Sequence, residues 1–292
     1  MRPTMRPRRT PELVDARRAL APSSVLALCC VLTACGGGGG SASGSGPSQN
    51  PGGGPPPVQP THIELLAVMT TSAAALYADP HARVQHLVDV ANDILDENAT
   101  EMRFDLARTV TVDYPDAADA PTALDAITSA TDPAFVGVAA ARDASRADLV
   151  VLLRPYVGDG YCGYAWVGGA GAGGDFAANP AEPSYAFSVV AVNCSDYTLL
   201  HETGHNMGLV HSRRENPAGG SLPYGAGYGI DNVFVTVMAS PGAFNAPQLP
   251  ALSNASRDCL GHPCGISYLD PVSGAEDARA LHEVRTQIAA YR

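Results

Sequence analysis

Apolar and polar positions alternate with two different periods over residues 61–292, and the periods assign the elements. Residues 62–70 (HIELLAVMT) form an apolar run that predicts a strand. Asp79-Pro80 then opens a helix, with an acid at the cap and proline at the first helical position. Leu87, Val88, Ala91, Ile94 and Leu95 recur at helical spacing on one face of it. Residues 108–114 predict a second strand, 121–130 and 133–141 short helices, and 147–153 (ADLVVLL) a buried strand. Two further strands are predicted at 164–167 and 187–192, and Ser195 or Asp196 can cap a helix beginning near Tyr197. Beyond residue 212, glycine and proline recur at short intervals until a final amphipathic helix carried by Ala280, Leu281, Val284 and Ile288. Strands alternating with helices predict an α/β domain.

The first 60 residues follow neither period. Arg2, Arg6, Arg8, Arg9, Arg17 and Arg18 precede an apolar run at 20–34 that Pro22 interrupts and that is too short to span a bilayer. This is a signal segment, and its ending, Leu32-Thr33-Ala34-Cys35 followed by Gly36, resembles the lipobox of bacterial lipoproteins. That resemblance implies a lipid on Cys35 and an outer-membrane anchor; the plainer reading is a secretory peptide cut near Ala34. Both predict export. Residues 36–60 (GGGGGSASGSGPSQNPGGGPPPVQP) have no large apolar side chain except Val58 and cannot offset the cost of ordering by burial, so they read as a tether. Fully extended at about 3.3 Å per residue, the tether would reach roughly 80 Å. The chain divides into a leader (1–35), a tether (36–60) and one folded domain (61–292).

Composition narrows the possible partners. With 46% apolar and 16% charged residues the chain as a whole is not disordered. All 18 basic residues are arginine, against 29 acidic ones. Six of the arginines lie in the leader with only Glu12 and Asp15, leaving 12 basic and 27 acidic residues and a balance of −15 for 36–292. A surface so acidic excludes nucleic acid as a partner, because phosphate binding needs a basic footprint. Removing the leader and assigning Cys35 to lipid leaves Cys162, Cys194, Cys259 and Cys264, an even number in an oxidising compartment. Cys259 and Cys264 enclose four residues including Pro263, which favours the pairs 259–264 and 162–194 among the three possible.

The candidate chemistry lies in His201-Glu202-Thr203-Gly204-His205-Asn206-Met207-Gly208-Leu209-Val210-His211. His201 and His205 stand at i and i+4, so on a helix they share one face and can hold one ion. Glu202 sits beside the first ligand, able to reach a water at the metal without occupying the metal. His211 cannot belong to the same helix, since ten residues rise about 15 Å. The chain must turn between them, and Gly208 can take the left-handed conformation that ends a helix. His62, His81, His86, His262 and His282 have no such spacing and read as solvated or hydrogen-bonded side chains.

The pattern H-E-x-x-H-x-x-G-x-x-H resembles that of the metzincin metalloproteases. Thr236-Val237-Met238-Ala239-Ser240 is similar to their Met-turn, which implies that Met238 forms a hydrophobic base below the metal. Gly163-Tyr164-Ala165-Trp166 resembles the upper edge strand of reprolysin-like members, along which substrate lies. Leu252-Ser253-Asn254, Gly261-His262-Pro263-Cys264-Gly265 and the terminal Ala289-Ala290-Tyr291-Arg292 resemble the bacterial peptidyl-Asp metallopeptidase group. The resemblance implies an α+β zincin fold: a twisted mixed sheet, an active-site helix and an irregular C-terminal subdomain. It also implies one zinc per chain on His201, His205 and His211, Glu202 as the catalytic proton carrier, and a peptide substrate bound extended. A monomer is favoured, and calcium stays open. Arg213 and Arg214 follow the last ligand and could favour acidic side chains, although solvated surface arginines are the simpler reading.

Three departures stand out. Ser212 follows the third histidine where reprolysins have aspartate, and it is the matrixin-like choice. Ser240 occupies the place of a tyrosine ligand, so no tyrosine switch is expected. The tether leaves no room for an inhibitory propeptide. Two other functions keep the same motif: a surface-anchored binding module with a structural zinc, which would need four protein ligands, and a zinc hydrolase of non-peptide amides.

Overall fold

A computed structural model describes residues 59–292. The leader, Cys35 and nearly all of the tether lie outside the described residues.

The core is a five-stranded sheet with strand order β2-β1-β3-β5-β4. Strands β1 (Thr61–Thr70), β2 (Met102–Val112), β3 (Leu149–Arg154) and β5 (Phe187–Ala191) run parallel, and β4 (Gly163–Ala165) lies antiparallel to β5 at one edge. The central strands read as largely apolar runs, broken by Glu64 in β1 and Ser188 in β5, because both sheet faces are covered. Every residue of β3 and β5 is buried.

Alternate side chains enter separate cores. On one face Leu65, Ala67 and Met69 of β1 and Val151 and Leu153 of β3 meet Leu87, Val88 and Leu95 of helix α2 (Pro80–Glu97), which follows a short helical turn, α1 (Thr71–Ala74). On the other face Leu66, Val68, Val150 and Leu152 meet Leu124 and Ile127 of α3 (Ala120–Ser129) and Val138 of α4 (Val138–Ser145). Asp79 caps α2 by accepting from the Ala82 N–H, and Asp119 caps α3 through the Thr122 N–H.

Three elements differ from the sequence expectation. Strand β2 begins six residues earlier than predicted: Met102 and Phe104 are buried while Arg103 and Asp105 are half-exposed, the pattern of a strand covered on one face only. The segment predicted as one helix at 133–141 is a 3-10 turn (Pro133–Phe135) followed by α4, with Gly137 between them. Trp166 lies outside β4.

The C-terminal part holds only short elements before the last helix: the hairpin β6 (Gly229–Ile230) and β7 (Phe234–Val235), the turn α6 (Pro241–Phe244), and the hairpin β8 (Asp258–Cys259) and β9 (His262–Pro263). The last helix, α7 (Asp277–Ile288), returns Leu281, Val284 and Ile288 to the same core as α2. Disulfides join Cys162 to Cys194 and Cys259 to Cys264. The result is a mixed α/β architecture with a twisted mixed sheet and an irregular C-terminal region.

Candidate active site

Strand β5 leads through a turn into helix α5 (Thr198–Asn206). Neither predicted cap closes this helix. Ser195 Oγ accepts from the Tyr197 N–H at 3.2 Å, and Asp196 pairs with Arg83 at 2.7 Å, so Tyr197 is the cap residue without a side-chain bond. Leu199 and Leu200 anchor α5 in the core, and His201 and His205 emerge beside the cleft. After Met207 the chain reverses at Gly208, whose φ of 88° is the left-handed conformation that glycine takes without cost. A side chain there would also strike Ser221. The returning segment is pinned by Val210, which donates to Gly225 O and accepts from the Gly227 N–H. His211 is thereby carried back to the helix.

The three Nε2 atoms converge, 3.1 Å apart for His201 and His211, 3.2 Å for His205 and His201, and 3.3 Å for His205 and His211. The other ring nitrogens of the first two are committed. His201 Nδ1 lies 2.7 Å from Val237 O, and His205 Nδ1 lies 2.9 Å from Leu209 O, contacts that only an Nδ1–H can make. Burial lowers the His201 pKa to about 4 and takes that of His205 far below its usual value, so both rings are neutral. Each therefore directs an Nε2 lone pair at the same point, an arrangement that repels unless a cation accepts the pairs. Nitrogens about 2.1 Å from a tetrahedral zinc would stand roughly 3.4 Å apart. The donor set and its spacing fit a metal.

Glu202 is 4% exposed, and burial pushes its carboxyl well above the usual range. It lies against the edge strand: a Cβ on Gly163 would fall 2.3 Å from its Oε1, so a side chain at 163 would displace this carboxylate. Below the ligands, Met238 is fully buried and its Sδ would be 2.9 Å from a Cβ on Gly204, the residue just before His205. Val237, the residue before it, supplies the carbonyl that orients His201.

A cleft of about 710 Å³ runs over this centre. Gly163, Tyr164 and Ala165 line it together with His201, Glu202, His205 and His211. Trp166 points elsewhere: its Nε1 donates to Thr128 Oγ1, its ring meets Tyr185 edge-on, and it packs, half-buried, against the core on the other sheet face. Cys162 and Cys194 tie the start of β4 to the loop before α5. Neither arginine after the last ligand lines the cleft. Arg213 donates to the Gly274 and Pro217 carbonyls, while Arg214 pairs with Asp231 at 2.5 Å and stacks on Phe244.

Residues 61–269 match the family described as metallo-peptidase family M12B, reprolysin-like. The chain belongs to that family. Within it, this reprolysin-like chain is 30% identical over 257 residues to a peptidyl-Asp metalloendopeptidase of Pseudomonas aeruginosa, a match covering 80% of this chain and 41% of that protein. It is 28% identical over 236 residues to a peptidyl-Asp metalloendopeptidase of Xanthomonas campestris pv. campestris, covering 80% and 52%. The chain thus spans about half the length of the curated relatives it matches. A solved structure described as a chaperone-substrate complex shares the fold, with a TM-score of 0.58 at 20% identity over 80% of this chain and 39% of that one. Membership of a metallopeptidase family implies a metal, and the three histidines are a group that could hold one.

Three residues to which the sequence reading gave no role also shape the site. Asn206, 2% exposed, donates through Nδ2 to Trp166 O and Phe187 O and so fixes the end of α5 to the edge of the sheet. Gln248 Nε2 donates to Val237 O, the same carbonyl that receives His201. Glu215 accepts from Ser212 and Ser240, and against burial, which raises it, these bonds hold its carboxyl below the usual range. A carboxylate four residues after a histidine was the available signal for Glu215; the other two carry no pattern.

Proposed function

We propose that this chain is a zinc-dependent metalloendopeptidase, with one zinc held by His201, His205 and His211 and with Glu202 as the residue that moves the proton. The observation that carries this reading is the convergence of three Nε2 atoms within 3.1–3.3 Å beside a buried carboxyl, under a cleft edged by a strand. When bound, zinc supplies Lewis acidity, polarising a carbonyl and acidifying a water. A carboxylate oxygen of Glu202 takes the proton from the attacking water and later delivers it to the leaving nitrogen. One glutamate serves as base and then acid, so no second carboxylate or nucleophilic serine is needed. The outer edge of β4 offers backbone N–H and C=O groups to an extended peptide, giving affinity that is largely independent of side chains. Among the described residues the histidine cluster offers three candidate ligands, whereas a structural zinc would need four.

Digesting a proteome-derived peptide library and locating the cuts by mass spectrometry tests this. Internal cleavage that a chelator abolishes is expected; intact peptides after prolonged digestion would refute the reading. Because Arg213 and Arg214 are engaged away from the cleft, the cut sites are expected to show no enrichment of aspartate, in contrast to what the names of the relatives describe.

We further infer export and lipid anchoring through Cys35, with 36–60 as the tether between anchor and domain. Among the described residues no helix is long and apolar enough to cross a membrane. The native protein is expected to partition into detergent and the Cys35→Ser protein to leave the detergent phase or to remain unprocessed. Soluble behaviour of both forms, with normal cleavage before residue 35, would exclude the lipid.

A further inference from the structure

The third metal-ligating histidine lacks the support that the first two have. His201 and His205 each direct Nδ1 at a backbone carbonyl, while the His211 ring is 41% exposed and the nearest acid to its Nδ1 is Glu215 Oε1 at 4.0 Å. Glu215 is itself held at several points. Ser212 Oγ donates to Oε2 at 2.7 Å, Ser240 Oγ donates to Oε1, and the Ser240 N–H lies 3.4 Å from Oε2. The Glu215 and Asn216 N–H groups return to Ser212 O at 2.8 and 2.7 Å, closing the turn that carries the carboxylate. Ser212 is the residue after His211, and Ser240 is two residues after Met238. One side chain therefore joins the ligand-bearing turn to the segment beneath the ligands. The two serines that depart from the related families are the two that bind it.

Resting on the metalloprotease reading above, we propose that Glu215 is a positioning residue: through Ser212 and Ser240 it clamps the His211 turn onto the Met238 segment and sets its negative charge beside the His211 ring. The carbonyls of Val237 and Leu209 accept from the other two rings at 2.7 and 2.9 Å, whereas Glu215, 4.0 Å from the His211 ring, acts through its charge and through the turn it holds. Carboxylates behind metal-bound imidazoles orient the ring and raise its basicity, and losing such a partner typically costs 10–100-fold in metal affinity.

The experiment measures zinc affinity by competition with a chromogenic chelator, using the metal alone as probe, alongside the thermal midpoint of the zinc-free protein. Glu215→Ala removes the carboxylate, and Glu215→Gln keeps its size while replacing one acceptor oxygen with a donor. Both variants are expected to bind zinc 10–100-fold more weakly with the zinc-free midpoint close to wild type. Ser212→Ala combined with Ser240→Ala should weaken zinc in the same direction, and adding Glu215→Ala to that pair should cost little more, because all three groups form one unit. Peptide turnover at saturating zinc should return toward the wild-type kcat. If Glu215→Gln and Glu215→Ala bind zinc as tightly as wild type, or if they lower the zinc-free midpoint without selectively weakening zinc, the clamp is refuted. A wild-type protein that binds no zinc would instead refute the metalloprotease reading on which the clamp rests.

Discussion

Glu202→Gln is expected to leave about one zinc per chain and to lower peptide hydrolysis by roughly 10²–10⁴-fold or more. The two effects separate because the ligands and the proton carrier are adjacent but distinct. His201 and His205 lie one turn apart on α5, and Glu202 directs its carboxylate toward Gly163 at the edge strand. Glutamine fills the same space, so the packing against Gly163 and the burial of the position persist. It cannot accept a proton at neutral pH. The carboxyl of Glu202 is raised by burial, and a cation on the neighbouring histidines is the influence that returns it to the ionised form needed for a base. Turnover of a quenched peptide measures the loss.

His205→Ala is expected to abolish metal binding and activity together, with a loss of activity at least as large as that of Glu202→Gln. His205 is 8% exposed and its Nε2 lies within 3.3 Å of both other ligand atoms, so removing it leaves two nitrogens and an unfilled space where the third stood. A site that keeps two imidazoles holds zinc far more weakly than one with three. Chelator treatment of the wild type should reproduce the variant, and zinc in slight excess should restore the wild type but not the variant. Metal analysis after gel filtration, with activity measured before and after zinc addition, checks both statements.

Much of this site could be read from spacing because its chemistry is local. The i, i+4 histidines, the adjacent glutamate and the glycine that reverses the chain lie within eleven residues, and helical geometry alone dictates which of them share a face. The central strands were legible for a related reason: covered on both faces, β1 and β3 become largely apolar runs. Strand β2 was only half legible, since Arg103 and Asp105 interrupt the run on its open face.

The support behind the ligands was not legible. Glu215 and Ser240 are 25 residues apart and meet only because the chain folds back through the 225–238 segment. Asn206 bridges to Trp166 and Phe187 across 40 and 19 residues, and nothing in an isolated asparagine predicts two carbonyl partners. Trp166 shows the limit of assigning a site by resemblance along a strand. Strand β4 ends at Ala165, and beyond it the Trp166 indole packs against the core behind the sheet while Gly163, Tyr164 and Ala165 line the cleft.

In the proposed function, one short helix divides metal binding from proton transfer between neighbouring residues. Zinc content and peptide turnover, measured on the same preparations of wild type, Glu202→Gln and His205→Ala, test it most directly. Wild type is expected to hold near one zinc with full turnover, Glu202→Gln near one zinc with roughly 10²–10⁴-fold slower turnover, and His205→Ala neither zinc nor turnover. A Glu202→Gln protein that retains its zinc and cleaves at close to the wild-type rate would contradict this division.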